Sequence, residues 1–138
     1  MSVTAENPKE IPATKRKLIE ATIRLVLRRG FSASGLDQIC AEAGVTKGAF
    51  FHYFKSKEEI GHAALLAWAD FGMSIYSTVR DDPTKDPLDQ LHMLFDVMIG
   101  LVEQSAEPVV CVVGMMAQEM SGTNANLRES CDRQFVAW

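Results

Sequence analysis

The run GVTKGAFFHYFKSKEEI, residues 44 to 60, constrains the fold of this chain more than any other segment. Its first residue, Gly44, permits a tight turn, and Thr46 can cap a short helix two residues later. Ser56 and Glu59 then have the spacing of a capping box, which starts another helix. The run therefore predicts a short helix between two turns, with four aromatic residues and three lysines on or beside it.

The residues before this run predict two more helices. A longer helix from Lys15 to Arg29, capped by Thr14 and ended by Gly30, has an apolar stripe formed by Leu18, Ile19, Thr22, Ile23, Leu25 and Val26. Ser34 and Asp37 have capping-box spacing for a short helix, whose inward residues would be Leu36, Ile39, Cys40 and Ala43. Two short helices joined through AGVT after a longer helix predict a helix-turn-helix.

The rest of the chain predicts four further helices and no strand. They run from Ser56 to about Arg80, from Pro87 behind an Asp86 cap, from about Val109 to Met120 and from about Asn124 onward. The predicted core face of the second is Leu88, Leu91, Leu94, Phe95, Met98 and Leu101 or Val102. We therefore expect an all-α protein with a flexible arm at 1–13, a helix-turn-helix domain at 14–57 and a helical effector-binding and dimerisation domain at 58–138.

Charge is divided unevenly between these parts. Residues 1–57 hold ten Lys or Arg and five Asp or Glu, a balance of +5, whereas the remainder holds four and thirteen, a balance of -9. A basic head on an acidic body is typical of proteins that bind a polyanion, although two differently charged faces without a function would look the same.

Other features narrow the class of protein. Three cysteines at spacings that fit neither a zinc site nor a disulfide framework indicate a reducing compartment, so we expect a cytoplasmic protein. The longest apolar run, Val109 to Ala117, is about half of the roughly 20 residues that a membrane span needs. No phosphate loop, nucleophile elbow or metal-ligand pair is present, so we expect no enzyme activity, metal or cofactor.

The second helix of a helix-turn-helix places its first turn in the DNA major groove. Short residues there let the backbone approach the bases, and a lysine can reach a phosphate or a guanine edge. Phe50 has two possible roles, a thymine-methyl contact and, together with Phe54, a plug for the small core opposite Phe31, Leu36 and Ile39. The predicted DNA contacts are Ser34, Thr46, Lys47, Gly48, Ala49, Phe50, His52, Tyr53 and Lys57.

The later helices contain soft apolar residues that could line a cavity for a small apolar molecule or could equally be ordinary core. This predicted pocket comprises Trp68, Phe71, Ile75, Phe95, Met98, Cys111 and Met115. Cys111 has two possible roles. It could line the pocket, or it could sense electrophiles or oxidants, because free N–H groups at a helix start lower the pKa of a thiol.

Residues 18 to 60 resemble the N-terminal domain of TetR-like transcriptional regulators, and GVTKGAFFHYFKSKEEI resembles the most characteristic run of that family. CVVGMMAQEM and NANLRES resemble its ligand-domain helices. The resemblance implies a homodimeric repressor that binds double-stranded DNA at a pseudo-palindromic operator. It also implies that a small apolar effector releases the protein by tilting the long helix from Ser56 to Arg80.

Two departures from the family pattern leave alternatives open. Phe51 stands where many relatives have a tyrosine, so one expected phosphate hydrogen bond is lost. The chain is also shorter than its relatives, and we expect it to lack the C-terminal helices that build the dimer interface. The alternative function is a helical protein that cannot bind DNA and titrates a full-length relative.

Overall fold

The chain is all-α in the computed structural model, which describes residues 11–106 and 109–138. This part of the chain forms seven helices and no strand: α1 Ala13–Arg29, α2 Leu36–Ala43, α3 Lys47–Tyr53, α4 Lys57–Arg80, α5 Pro87–Gln104, α6 Val112–Met120 and α7 Ala125–Ala137. The predicted all-α class is therefore confirmed. Residues 1–10 of the predicted arm lie outside the described residues.

The first three helices form a head around a closed apolar core. α1 packs against α2, α3 and α4, and its buried residues include Leu18 and Val26, neither of which is exposed. Phe50 is fully buried, and its ring centroid lies 5.8 Å from that of Phe54. Phe31 is 4% exposed on the same core, which confirms the predicted aromatic plug.

Four of the helices start at a side-chain cap; the sequence predicts three of these caps, and the Asn124 cap is a finding of the structure. The side-chain oxygens of Thr46, Ser56, Asp86 and Asn124 each accept a backbone N–H from the first turn of α3, α4, α5 and α7. Each bond satisfies a donor that the helix itself leaves without a partner. These caps fix the starts of the four helices within a few residues of sequence.

Three predicted helix starts are wrong. α1 begins behind Pro12, one residue before Thr14, and has no side-chain cap. α2 is preceded by Gly35, whose N–H donates to the Gln38 side chain at 2.8 Å, because the Ser34 hydroxyl turns inward and donates to the Gly30 carbonyl at 2.7 Å. α6 begins at Val112 rather than at about Val109, because Cys111 is its N-cap.

α4 joins the head to the remaining helices. Its first half buries Ile60, Ala64, Leu65 and Trp68, and α6 and α7 pack against it through residues that include Val112, Met116 and Leu127. The head and these helices therefore share one apolar cluster.

The predicted burial of α5 is wrong for this chain. The helix forms where expected, but none of its residues is buried. Its contacts within the described residues are mainly with α4, which covers only one side of it. The large apolar side chains that remain exposed on α5 are Leu88, Leu91, Phe95, Met98, Ile99 and Val102.

No helix within residues 11–106 and 109–138 is both long enough and apolar enough to cross a bilayer.

Candidate nucleic-acid interface

A glycine turn sets the direction of α3 relative to α2. Gly44 adopts the left-handed conformation with φ 66°, which a residue with a Cβ adopts only with strain. The next residue, Val45, donates its N–H to the Cys40 carbonyl at 3.0 Å, which ties the turn to the end of α2. Thr46 then accepts the Ala49 N–H at 3.1 Å and starts α3. The sequence AGVT thus folds into a rigid corner.

One face of α3 is fixed in the core while the other faces solvent. Phe50 anchors the inner face, and Thr46, Lys47 and Gly48 are exposed in the first turn. Ala49 is half-buried. The start of α3 is therefore an accessible, firmly held edge with one small hydroxyl, one cation and one position without a side chain.

Lys47 is held by a partner that the sequence analysis missed. Its Nζ lies 2.7 Å from a carboxylate oxygen of Asp37 on α2, and both side chains are exposed. Asp37 raises the pKa of Lys47, first by this hydrogen bond and second by its negative charge. Lys47 is therefore a cation at any physiological pH. An exposed pair of this kind contributes little to stability, so an incoming phosphate or base edge can compete for it.

Aromatic groups follow this edge along α3. The His52 and Tyr53 rings meet edge to face with centroids 4.7 Å apart, His52 exposed and Tyr53 half-buried. Phe51 is 55% exposed and meets the buried Phe50 ring at 5.3 Å. Phe51 and His52 therefore both face solvent, as the DNA contact predicted for His52 requires.

Two residues are removed from the predicted set of DNA contacts. Ser34 has no exposed surface, and its hydroxyl is donated to the Gly30 carbonyl, so it cannot reach a phosphate. Phe50 has no exposed surface either, so its core role excludes the thymine-methyl contact. Thr46, Lys47, Gly48, Ala49, His52 and Tyr53 lie together on α3, as expected, and their contact with DNA stays a prediction.

Lys57, the remaining predicted contact, is turned toward the head. Its Nζ donates to the Ser32 carbonyl at 3.3 Å and lies 4.6 Å from the centroid of the Phe31 ring. Burial lowers the pKa of Lys57, and the negative charge of Glu119 on α6 partly opposes this effect. A phosphate contact by Lys57 would have to coexist with these interactions or replace them.

An apolar cavity of about 300 Å³ lies between α4, α5 and the segment before α6. Five of the seven predicted pocket residues border it, namely Trp68, Phe71, Ile75, Met98 and Cys111. Phe95 and Met115 do not border it; Phe95 is 51% exposed on α5, and Met115 lies inside α6. The lining residues that were not predicted to border a pocket are Gly72, Tyr76, Leu101, Val102, Val109, Val110 and Trp138.

Across residues 11–106 and 109–138, no three His, Cys, Asp or Glu side chains are grouped so that they could hold a metal ion.

Residues 18–64 match the sequence model of a family described as bacterial regulatory proteins, tetR family. The HTH-type transcriptional repressor DhaR of Mycobacterium sp. strain GP1 is 30% identical over 125 residues, which are 90% of this chain and 61% of that protein. The repressor NemR of Escherichia coli K12 is 44% identical over 52 residues, which are 38% of this chain and 26% of NemR. The chain thus spans about three-fifths of the length of the former.

Solved structures resemble the fold over most of the chain. A regulatory protein TetR from Rhodobacter sphaeroides has a TM-score of 0.83 at 25% identity. The matched region is 92% of this chain and 67% of that protein's chain. The reduced form of E. coli NemR has a TM-score of 0.79 at 24% identity, with 89% and 64% coverage. The all-helical architecture and the N-terminal helix-turn-helix are therefore those of TetR-like proteins.

Proposed function

We propose that this chain, whose residues 18–64 match the tetR family and whose fold resembles that of TetR-like proteins, binds double-stranded DNA sequence-specifically through the start of α3 and acts as a transcriptional repressor. The single observation that carries this proposal is the exposed first turn of α3, held in place by the buried Phe50. A rigid edge with a small hydroxyl, a cation and a glycine has the size that the major groove admits.

The proposed contacts divide into two kinds. Lys47 and Ala49 would face base edges, since the first turn of a recognition helix lies deepest in the groove. Thr46, His52 and Tyr53 would contact sugar and phosphate, which positions the head without reading sequence. Gly48 has open space at its Cβ position, where the nearest atom is the Thr46 Oγ1 at 3.8 Å, so DNA backbone can approach it closely.

Charge supports an electrostatic component of binding. The balance of +5 in residues 1–57 against -9 in the remainder would turn the head toward DNA and the body away from it. Affinity that depends on phosphate contacts falls steeply as the salt concentration rises. Binding releases the cations condensed on the DNA, and that release is less favourable when more salt is already in solution.

A homodimer and a palindromic operator complete the proposal. One head of this size reads one half-site, and two heads related by a twofold axis would occupy successive major grooves about 34 to 36 Å apart. DhaR and NemR are named as repressors, which supports repression rather than activation here. The association of two copies of the chain is itself proposed.

We further propose that a small apolar effector occupies the cavity bordered by Trp68, Phe71 and Cys111. Its volume of about 300 Å³ lies at the lower end of the range for small-molecule sites. An effector would release DNA only if it bound one arrangement of the heads more tightly than the other. Because α4 borders both the cavity and the head, it is the element through which such a preference would act.

The test is selection of duplexes from a random library by the 138-residue chain, followed by titration of the best duplex at several salt concentrations. We expect an enriched sequence with twofold symmetry, nanomolar affinity and a steep salt slope. Lys47→Ala should weaken binding by about 1 to 3 kcal/mol and relax the preference at one base position of each half-site.

Lys85→Ala is the matched control, because Lys85 is an exposed lysine in the loop between α4 and α5. It should leave both affinity and base preference unchanged. Failure to enrich any sequence, together with no salt-dependent binding, would reject the proposal in favour of a helical protein that acts by titrating a longer relative.

A further inference from the structure

A carboxylate from α6 holds the turn between α1 and α2. Glu119 accepts the Phe31 N–H on Oε1 at 3.0 Å and the Ser32 N–H on Oε2 at 2.6 Å. The two partners are 88 and 87 residues away along the chain, so this is a contact between the body and the head. Both oxygens are used, and hydrogen bonds to an ionised acceptor are the stronger kind.

The backbone at this turn is shaped to admit the carboxylate. Gly30 ends α1 with φ 85°, a conformation that favours glycine. A Cβ at Gly30 would collide with Oε1 of Glu119, so the missing side chain makes room for the bond. A Cβ at Gly61 on α4 would likewise collide with the Phe31 ring. Gly30 at the end of α1 therefore leaves space for the carboxylate, and Gly61 on α4 leaves space for the Phe31 ring beside it.

A cation completes the site. The Lys57 Nζ donates to the Ser32 carbonyl at 3.3 Å, next to the Ser32 N–H that Glu119 accepts. Burial lowers the pKa of Lys57 and the negative charge of Glu119 opposes this effect, while each group holds the turn through its own hydrogen bond. The turn is thus held on its N–H groups by α6 and on a carbonyl by α4.

A second polar contact docks the same end of α6 on α4. Glu58 in the first turn of α4 accepts the Asn124 side-chain amide at 2.9 Å and the Asn126 side-chain amide at 3.0 Å. Asn124 caps α7 and donates its backbone N–H at 3.2 Å to the carbonyl of Met120, the last residue of α6. These two hydrogen bonds lower the pKa of Glu58, so it stays ionised. The end of α6 is therefore fixed where α4 leaves the head.

The opposite end of α6 borders the apolar cavity. Its N-cap, Cys111, lines that cavity, and its sulfur accepts the Gly114 N–H at 3.4 Å. This helix of nine residues thus meets the cavity through its N-cap and the head through its last turn. Since a short helix moves as a rigid body, a displacement at one end reaches the other.

We propose that Glu119 is a positioning residue, which fixes the orientation of the DNA-binding head to α6 and so to the wall of the cavity. This inference rests on the proposed function for its consequence, the binding of DNA. The contact itself does not depend on that function. Without Glu119 the turn keeps its apolar packing but loses the bonds that set its position.

The test compares the full chain with its Glu119→Gln variant by amide hydrogen exchange, without DNA. Glutamine keeps the shape of the side chain but has only one acceptor oxygen for the two backbone N–H groups. Its NH₂ group, also a donor, would face the second N–H and could not accept from it. We expect exchange at Phe31 and Ser32 to rise about tenfold or more, with α5 and α7 unchanged, whereas a general loss of stability would raise exchange throughout. Glu119→Asp keeps the charge with less reach and should give a smaller rise.

Glu103→Gln is the matched control, because it removes the same charge from an exposed position on α5. It should leave exchange at Phe31 and Ser32 as in the wild type. Unchanged exchange at these two amides in Glu119→Gln, or an equal change in the control, would overturn the proposal.

A second arm measures affinity for a duplex selected by the wild-type chain. Glu119→Gln should lose about tenfold on the selected duplex and little on a scrambled one, because the head must be oriented to read sequence. Wild-type affinity in a variant whose two amides exchange faster would overturn the positioning role. Absence of wild-type binding to any duplex would reject the DNA-binding proposal alone, because the exchange arm needs no DNA.

Discussion

The head and α5 show how the same sequence signal leads to two different environments. Both have apolar residues at helical spacing, and both form helices where the sequence predicts them. In the head the stripe closes on itself, and Phe50, Leu18 and Ile39 have no exposed surface. On α5 the stripe has a neighbour on one side only, and Phe95 is 51% exposed. Periodicity therefore fixes a helix and its face, but not whether that face is covered.

This difference also separates the roles proposed for the two regions. A buried aromatic plug makes the exposed first turn of α3 rigid, which a base-reading surface requires. The apolar face of α5 has no comparable anchor, and its packing tolerates change. Substitutions of the same kind in the two regions should therefore have unequal effects.

The largest effect is expected from removing the aromatic plug. Phe50→Ala leaves a cavity in a closed core and should lower the free energy of unfolding by about 3 to 5 kcal/mol. Phe95→Ala makes the same change on the exposed face of α5 and should cost less than about 1 kcal/mol. Urea denaturation of both variants measures the difference. Equal losses would show that α5 is packed as tightly as the head.

A smaller effect with opposite signs is expected from two glycines. In Gly61→Ala the new Cβ meets the Phe31 ring, and overpacking should cost about 1 to 2 kcal/mol after the gain in helix propensity. In Gly100→Ala on α5 the nearest atom is the Gln104 Nε2 at 3.7 Å, so the propensity gain of about 0.5 to 1 kcal/mol should stabilise the chain. Thermal denaturation gives both signs, and a stabilising Gly61→Ala would contradict the close fit of Phe31.

The smallest effect concerns an ion pair of the head. The Arg24 Nε lies 2.8 Å from Glu42, and this hydrogen bond is the main reason that the pKa of Glu42 is lowered. Because the folded pKa lies below the unfolded one, the stabilisation is complete above about pH 4.3 and is lost as pH falls through the folded pKa. Arg24 is partly exposed, so Glu42→Gln should cost only about 0.5 kcal/mol at pH 7.

Denaturation at pH 7 and at successively lower pH measures this contribution. The difference between wild type and Glu42→Gln should disappear at the acid end. In an Arg24→Gln background it should shrink but not vanish, because the Arg28 Nη1 also lies 3.7 Å from the Glu42 carboxylate. A difference as large as in the wild-type background would contradict the role of the Arg24 hydrogen bond.

The sequence predicts those parts of the fold and site that depend on neighbouring residues. Thr46 and Ser56 cap helices through atoms three residues away, and Gly44 sets its own turn, so short-range patterns suffice. The same reasoning fails for Ser34, because its hydroxyl bonds backward to Gly30 instead of capping α2. The local sequence is compatible both with a Ser34 cap on α2 and with the bond to Gly30, and only the packing of the folded chain selects the second.

Contacts between distant segments are the part that the sequence could not supply. Glu119 reaches a turn 87 residues away, and nothing in its neighbourhood distinguishes it from a solvent-exposed glutamate. Asp37 and Lys47 meet only because the Gly44 turn folds α2 and α3 together. The exposure of α5 likewise depends on what packs against it rather than on its own residues.

The central claim is that the first turn of α3 is the surface that meets DNA. The most direct test follows the backbone amide resonances of the 138-residue chain as a mixed-sequence duplex of about 30 base pairs is added at low salt. The account predicts shifts concentrated at Thr46, Lys47, Gly48 and Tyr53, reversed by added salt, with α5 unaffected. Shifts centred on α5, or none in residues 44–57, would contradict it.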